Sequence, residues 1–120
     1  MRILIADDAP VERAILRRLA LREGHEVVGE AGDSTELAEL VSRLLPDLVL
    51  LDGRLPAAGG LHALAALRVL PAPPAVIVIA ALGERAFLET AVRSGAQGGL
   101  LRPLAAGDFA ETLRRLARTP

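Results

Sequence analysis

The sequence predicts an α/β domain built on a doubly wound parallel sheet, and three observations carry that prediction. Short unbroken apolar runs recur along the chain, among them Ile3–Ala6, Leu48–Leu51 and Val76–Ala80. Runs of this length without alternation mark strands covered on both faces, as parallel strands are. Segments of helical length lie between them, giving five strand–helix units and no linker. The first and third predicted strands each end in acid, Asp7-Asp8 and Asp52. The carboxyl ends of the strands form the ligand crevice of an open α/β sheet, which is where those carboxylates fall.

The first strand is expected over Arg2–Ala6 and the first helix over Pro10–Glu23. Proline suits the first helical position, where its missing N–H has no intrahelical partner, and Gly24 stops the helix. Val11, Ala14, Ile15 and Leu19 recur at helical spacing and predict its buried stripe, with Arg13, Arg17 and Arg22 off it. A second strand follows near Glu26–Glu30. Asp33-Ser34-Thr35-Glu36 has the form of a capping box opening a helix through Leu44, which Pro46 ends. The third strand is expected over Asp47–Leu51, then a loop over Asp52–Gly60 and a helix near Leu61–Val69. Pro71–Pro74 makes a rigid connector before the fourth strand, Val76–Ala80. A helix near Glu84–Ser94 stops at Gly95, a short strand covers Gly99–Leu101, and the last helix spans Ala106–Ala117. Parallel neighbours require right-handed crossovers between them.

Composition narrows the function. A chain of 120 residues suits one domain, and 52% hydrophobic with 24% charged residues is a packed globule rather than a disordered segment. A net charge of −1 gives no bulk attraction to nucleic acid or an anionic membrane. With no cysteine there are no disulfides or thiolate metal sites, which fits a cytoplasmic protein. No apolar run reaches the roughly 18–20 residues of a membrane span, and the chain enters its first strand without a signal-like segment. All 14 basic residues are arginine, the mark of a GC-rich coding sequence.

If strands one and three are neighbours, Asp7, Asp8 and Asp52 converge. Acids that merely end strands sit in solvent, but three at matched strand ends point to a site. Crowded carboxylates raise one another's pKa unless a cation neutralises them. A hard divalent ion with oxygen ligands, Mg²⁺ above all, answers that charge. Elsewhere the chemistry is thin. His25 and His62 read as surface residues, Ser34, Ser42 and Ser94 lack a His–Asp arrangement, and no glycine-rich nucleotide loop is present. Arg17-Arg18 and Arg114-Arg115 read as solvated helix faces.

The whole pattern resembles the receiver (CheY-like) domain of bacterial two-component response regulators, over the full length 1–120. Asp7-Asp8 resemble the acidic pair after the first strand. Asp52-Gly-Arg-Leu-Pro56-Ala-Ala-Gly-Gly60 is similar to the phosphoacceptor loop, and Leu101-Arg102-Pro103-Leu104 to the segment that normally ends in Lys-Pro-Phe. The resemblance implies a flavodoxin-like (βα)5 fold with strand order 2-1-3-4-5. It further implies that Asp52 takes a phosphoryl group from a histidine kinase or small phosphodonor. Asp8, Asp52 and the backbone carbonyl of Arg54 would hold Mg²⁺, with Asp7 acting through water. Arg102 and the backbone of Ala81 would contact the phosphoryl group, and the Arg102–Pro103 bond would be cis. The module would not be a turnover enzyme. It would be monomeric or weakly dimeric, and would pass its signal to a downstream partner or fused effector. Arg118-Thr119-Pro120 suits either a tail or a linker.

Three positions depart from the family pattern. Ala80 stands where a hydroxyl would bond a phosphoryl oxygen, and losing such a charge-assisted bond costs roughly 1.5–3 kcal/mol. Arg102 replaces a lysine, keeping the charge while changing its shape. Gly99 replaces the aromatic residue whose rotation reports phosphorylation, so the response is expected around Arg54–Gly60 instead. Two other classes stay open: a pseudo-receiver that scaffolds a partner without phosphorylation, and an aspartate-nucleophile phosphatase. The second is disfavoured because Asp7-Asp8-Ala9-Pro10 lacks an Asp-x-Asp-x-Thr spacing.

Overall fold

Five parallel strands, β1 (Arg2–Ala6), β2 (Glu26–Ala31), β3 (Leu48–Asp52), β4 (Ala75–Ala80) and β5 (Gly98–Leu101), form one sheet in the order β2-β1-β3-β4-β5. The helices α1 (Pro10–Arg22), α2 (Ser34–Leu44), α3 (Gly60–Arg68), α4 (Arg85–Arg93) and α5 (Ala106–Arg118) connect and cover them. The computed structural model describes residues 1–118; Thr119 and Pro120, the end of the expected tail or linker, lie outside the described residues.

The period-two geometry of a strand divides each apolar run between two cores. Ile3, Ile5, Leu48, Leu50, Ile77 and Ile79 face α1 and α5, against Leu16, Ala20, Phe109 and Leu113. Leu4, Ala6, Val49, Leu51, Val76 and Val78 face α2, α3 and α4, against Leu37, Val41, Leu64, Leu67 and Ala91. Each of these strand residues is essentially inaccessible to water. At about 1.5–3 kcal/mol for each large side chain buried, both faces of the central strands are committed to the core. That leaves their carboxyl ends as the part of the sheet open to solvent chemistry.

Most elements lie within a residue or two of expectation, and three differences have physical causes. The buried stripe of α1 is Leu16 and Ala20, with Leu19 partly covered, whereas Val11 is 71% and Ile15 43% exposed. Two apolar stripes fit the helical period here. The Leu16–Ala20 face packs into the core with Ile3 and Ile5, and it also carries Arg13 and Arg17, which bond Glu30 at the end of β2. Strand β3 begins and ends one residue later than expected, so Asp52 is its last residue, in register with Ile79. At α2, Asp33 accepts the Glu36 N–H at 2.8 Å as a capping box requires. Glu36, however, reaches the Gly32 N–H at 2.7 Å rather than that of Asp33.

Glycine sets the shape of the loop after β3. A Cβ on Gly60 would lie 2.6 Å from the Gly53 carbonyl oxygen and 2.7 Å from its Cα. The Gly60 N–H donates to that carbonyl at 3.1 Å, so the loop closes on itself through backbone alone. The Ser34 N–H bonds the Pro56 carbonyl, and the Ala58 N–H bonds Ser34 Oγ, both at 3.0 Å, pinning the loop to α2. Gly60→Ala is expected to destabilise the fold by about 1–3 kcal/mol, because backbone must move to admit the methyl group. Gly107→Ala in α5, where nothing lies within 4 Å, is expected to stabilise it by about 0.4–1 kcal/mol. Denaturant melts of the pair check both signs.

Candidate functional site

Strands β1 and β3 are neighbours, with Ala6 beside Leu51, so the acids that follow them meet at one edge. One carboxylate oxygen from each of Asp7, Asp8 and Asp52 lies within 4.8 Å of the others. Asp7 is buried and Asp52 nearly so, while Asp8 is exposed. Such an all-oxygen donor set at the mouth of a crevice fits a hard divalent cation.

Asp7 is the most constrained of the three. Its N–H continues the β1–β2 ladder to the Ala31 carbonyl, and its carboxylate accepts the Ala9 N–H at 2.9 Å. Burial pushes its pKa above the usual carboxylate range, and the charge of Asp52 adds to the rise. The Ala9 N–H and Arg102 oppose it.

Arg102 follows β5, and its N–H donates to the Ala80 carbonyl at 2.8 Å. The Arg102–Pro103 peptide bond is cis. The guanidinium reaches three carboxylates at once. Nη2 lies 2.5 Å from Asp7, Nη1 makes a longer 3.4 Å contact with Asp52, and Nε bonds Glu12 on α1 at 3.1 Å. A lysine ammonium is a point charge and cannot serve as a planar fork in this way. Arginine at this position thus recruits an additional acid, Glu12, that holds its Nε edge and aims the other two nitrogens at the crevice.

The loop after β3 meets the end of β4 on the opposite side. The Arg54 N–H donates to Asp52 Oδ1 at 3.2 Å. The Arg54 side chain turns away and places Nε and Nη2 at 3.0 and 2.9 Å from Glu84 Oε2. The other Glu84 oxygen accepts the Ala81 N–H at 2.9 Å. That backbone bond, then Arg54, holds the Glu84 carboxyl below the usual range. Ala80 is buried beside this turn. At Gly99 a Cβ would lie 2.6 Å from Leu88 Cγ, so the leucine of α4 already fills the space a side chain there would need.

The structure therefore brings Asp7, Asp8, Asp52, Arg54, Ala81 and Arg102 around one crevice, with Ala80 beneath it and Gly99 off to the side. Sequence reasoning missed Glu12 and Glu84. Glu12 reads as an ordinary acid in a first helical turn, and its partner lies 90 residues away. Glu84 carries a faint signal, a glycine turn before a helix start. His62 is exposed and His25 half-buried, away from this cluster. Arg17 is not merely solvated, since it bonds Glu30.

Comparison with known proteins bears on the family and the fold. The family model for the response regulator receiver domain matches residues 3–114. The chain belongs to that family. It is 36% identical over 111 residues to the transcriptional regulatory protein PdtaR of Mycobacterium tuberculosis, covering 90% of this chain and 52% of that one. It is 30% identical over 117 residues to the chemotaxis protein CheY of Thermotoga maritima, covering 98% of each. Among solved structures, the signal receiver domain of NarL from Mycobacterium tuberculosis superposes with a TM-score of 0.88 at 33% identity, over 99% of this chain and 97% of that one. This receiver domain thus spans about half the length of PdtaR and nearly all of the length of CheY. No helix among the described residues is long and apolar enough to cross a membrane.

The raised pKa of Asp7 has a defined consequence for stability without metal. The folded state binds the Asp7 proton more tightly than the unfolded chain, whose pKa is near 3.8. The stability this supplies is therefore present at low pH and is lost as pH rises through the folded value. Asp7→Asn should flatten that part of the profile and raise stability at pH 7 by about 0.5–2 kcal/mol in EDTA. Denaturant melts between pH 3 and pH 7 check it, and a clear loss of stability at pH 7 contradicts the crowding of charge.

Proposed function

We propose that the chain is one receiver module over residues 1–120 that accepts a phosphoryl group on Asp52 from a histidine kinase and relays the signal through protein contacts. The observation that supports this reading most is the convergence of three carboxylates with the Arg102 guanidinium at the carboxyl edge of β1 and β3. A carboxylate oxygen of Asp52 attacks phosphorus in line. The P–N bond of a phosphohistidine breaks as the new P–O bond forms, and the imidazole leaves with the bonding pair.

Asp8, Asp52 and the Arg54 carbonyl would hold Mg²⁺, with Asp7 acting through water, and the ion would supply neutralisation of charge on the transferred oxygens. The chain's own groups do the rest. Arg102 faces the same oxygens as a fixed cation, and the Ala81 N–H is the backbone donor at the end of β4. Glu12 keeps Arg102 in place. Transfer of this kind depends chiefly on positioning and electrostatics, which these groups provide. We place the module in the cytoplasm as a monomer or weak homodimer, without direct contacts to nucleic acid or membrane. Its output would pass through a separate partner or a fused effector, as the greater length of PdtaR allows.

The test uses acetyl phosphate with Mg²⁺, read by intact mass. The P–O bond to the acetyl group breaks and acetate leaves, so one phosphoryl group should be gained by the wild type and none by Asp52→Asn. No gain by the folded wild type supports a phosphorylation-independent scaffold instead, and turnover of many equivalents supports a phosphatase. A Mg²⁺ titration should show a weak, saturable change that Asp8→Ala abolishes; the same change in that variant places the ion elsewhere.

A further inference from the structure

We propose that Glu84 is a rate-setting gate on phosphoryl transfer, its carboxylate occupying the donor that the phosphoryl group needs. This gate rests on the reading of Asp52 as phosphoacceptor. Gly83, at φ +97°, turns the chain so that the Glu84 N–H closes a tight turn on the Ala81 carbonyl at 3.0 Å. The same turn folds the Glu84 side chain back, and Oε1 takes the Ala81 N–H at 2.9 Å. Two nitrogens of Arg54 fasten Oε2 from the far side, at 3.0 and 2.9 Å. The Glu84 side chain is 25% exposed and the Arg54 side chain 76%, so the clasp sits at the rim, where it can open.

One backbone N–H makes one strong hydrogen bond. With Ala80 supplying no hydroxyl, the Ala81 N–H is what the end of β4 offers an incoming oxyanion. That donor is already engaged by an anion of the protein's own. A phosphoryl group on Asp52 that takes the Ala81 N–H must displace the Glu84 carboxylate from it. Displacement releases Arg54, whose backbone belongs to the acceptor loop, and frees Glu84, which precedes the first turn of α4. One exchange of anions thus links the acceptor loop to α4 without a strand-four hydroxyl or a strand-five ring.

The experiment compares the full chain with Glu84→Ala, Glu84→Gln and Glu89→Ala, each incubated with acetyl phosphate and Mg²⁺ and followed by intact mass. Removing the carboxylate should accelerate phosphorylation about three- to tenfold in Glu84→Ala. Glu84→Gln should accelerate it less, because the amide oxygen remains an acceptor without the charge. Glu89→Ala, an exposed acid on the same helix, should match the wild type; equal acceleration there reduces the effect to net charge and overturns the gate. Amide spectra show that each variant is folded, and the near-isosteric Gln variant decides the matter if the Ala variant is not. The Ala81 amide resonance should also move in Glu84→Gln before any phosphodonor is added, and an unmoved resonance overturns the gate. A phosphorylated wild type with both Glu84 variants no faster removes the gate and leaves the Asp52 reading standing. An inert wild type beside an active Glu84→Ala supports both. If all four proteins are inert, the Asp52 reading fails and the gate falls with it.

Discussion

The compensation of negative charge at the carboxyl edge of β1 and β3 is the constraint on which the rest of this receiver domain depends. Two buried carboxylates, Asp7 and Asp52, are held close together, and burial pushes the pKa of Asp7 up. An isolated ion in such a place would neutralise itself by taking a proton. Arg102 is the built-in answer. Its own position depends on β5 lying two strands away from β3 and on Glu12 of α1, which holds its Nε edge. Four elements distant in sequence are thereby referred to one cluster of charge.

The sheet makes that cluster possible because it is rigid where the acids are not. Both faces of β1, β3 and β4 are packed to exclusion of water, so the strand ends cannot drift without opening a core. The loop beyond Asp52 gains its definition differently, from the backbone contact of Gly60 with Gly53 and from two bonds to α2. Rigid strands thus present the carboxylates, and a backbone-locked loop presents the Arg54 N–H to Asp52. The packing of the domain and the crowding of its site oppose each other in free energy, as expected where stability is given up for chemistry.

Nearly all of the fold was legible in the sequence because the three central strands are apolar runs and glycine or proline punctuates most of the helices. Asp7, Asp8 and Asp52 were legible for the same reason, since the end of a parallel strand is a place the fold itself defines. The α1 stripe differs from expectation because two apolar stripes satisfy one helical period, and which of them meets Leu48, Leu50 and Phe109 is decided by elements distant from the helix. Glu12 and Glu84 were invisible as site residues for a related reason. An acid near a helix start has a sufficient local explanation in the helix dipole, and nothing in its neighbourhood announces a distant arginine. What sequence patterns convey is periodicity and punctuation, and pairings across 90 or 30 residues are neither.

The departures at residues 80, 99 and 102 make more sense together than one at a time. Had Ala80 and Gly99 simply lost their usual side chains, the crevice would show an open donor and the sheet edge an empty slot. Neither is found. Glu84 sits on the Ala81 N–H, and Leu88 fills the space beside Gly99. At Arg102, likewise, the extra donor of a guanidinium is matched by the carboxylate of Glu12. Each altered residue has a neighbour arranged to suit it, and among the described residues no buried side-chain polar atom lacks a partner. The three positions are therefore not isolated differences: Glu84, Leu88 and Glu12 each stand against one of them, and the charge and packing at this end of the sheet are set by those pairs rather than by single residues.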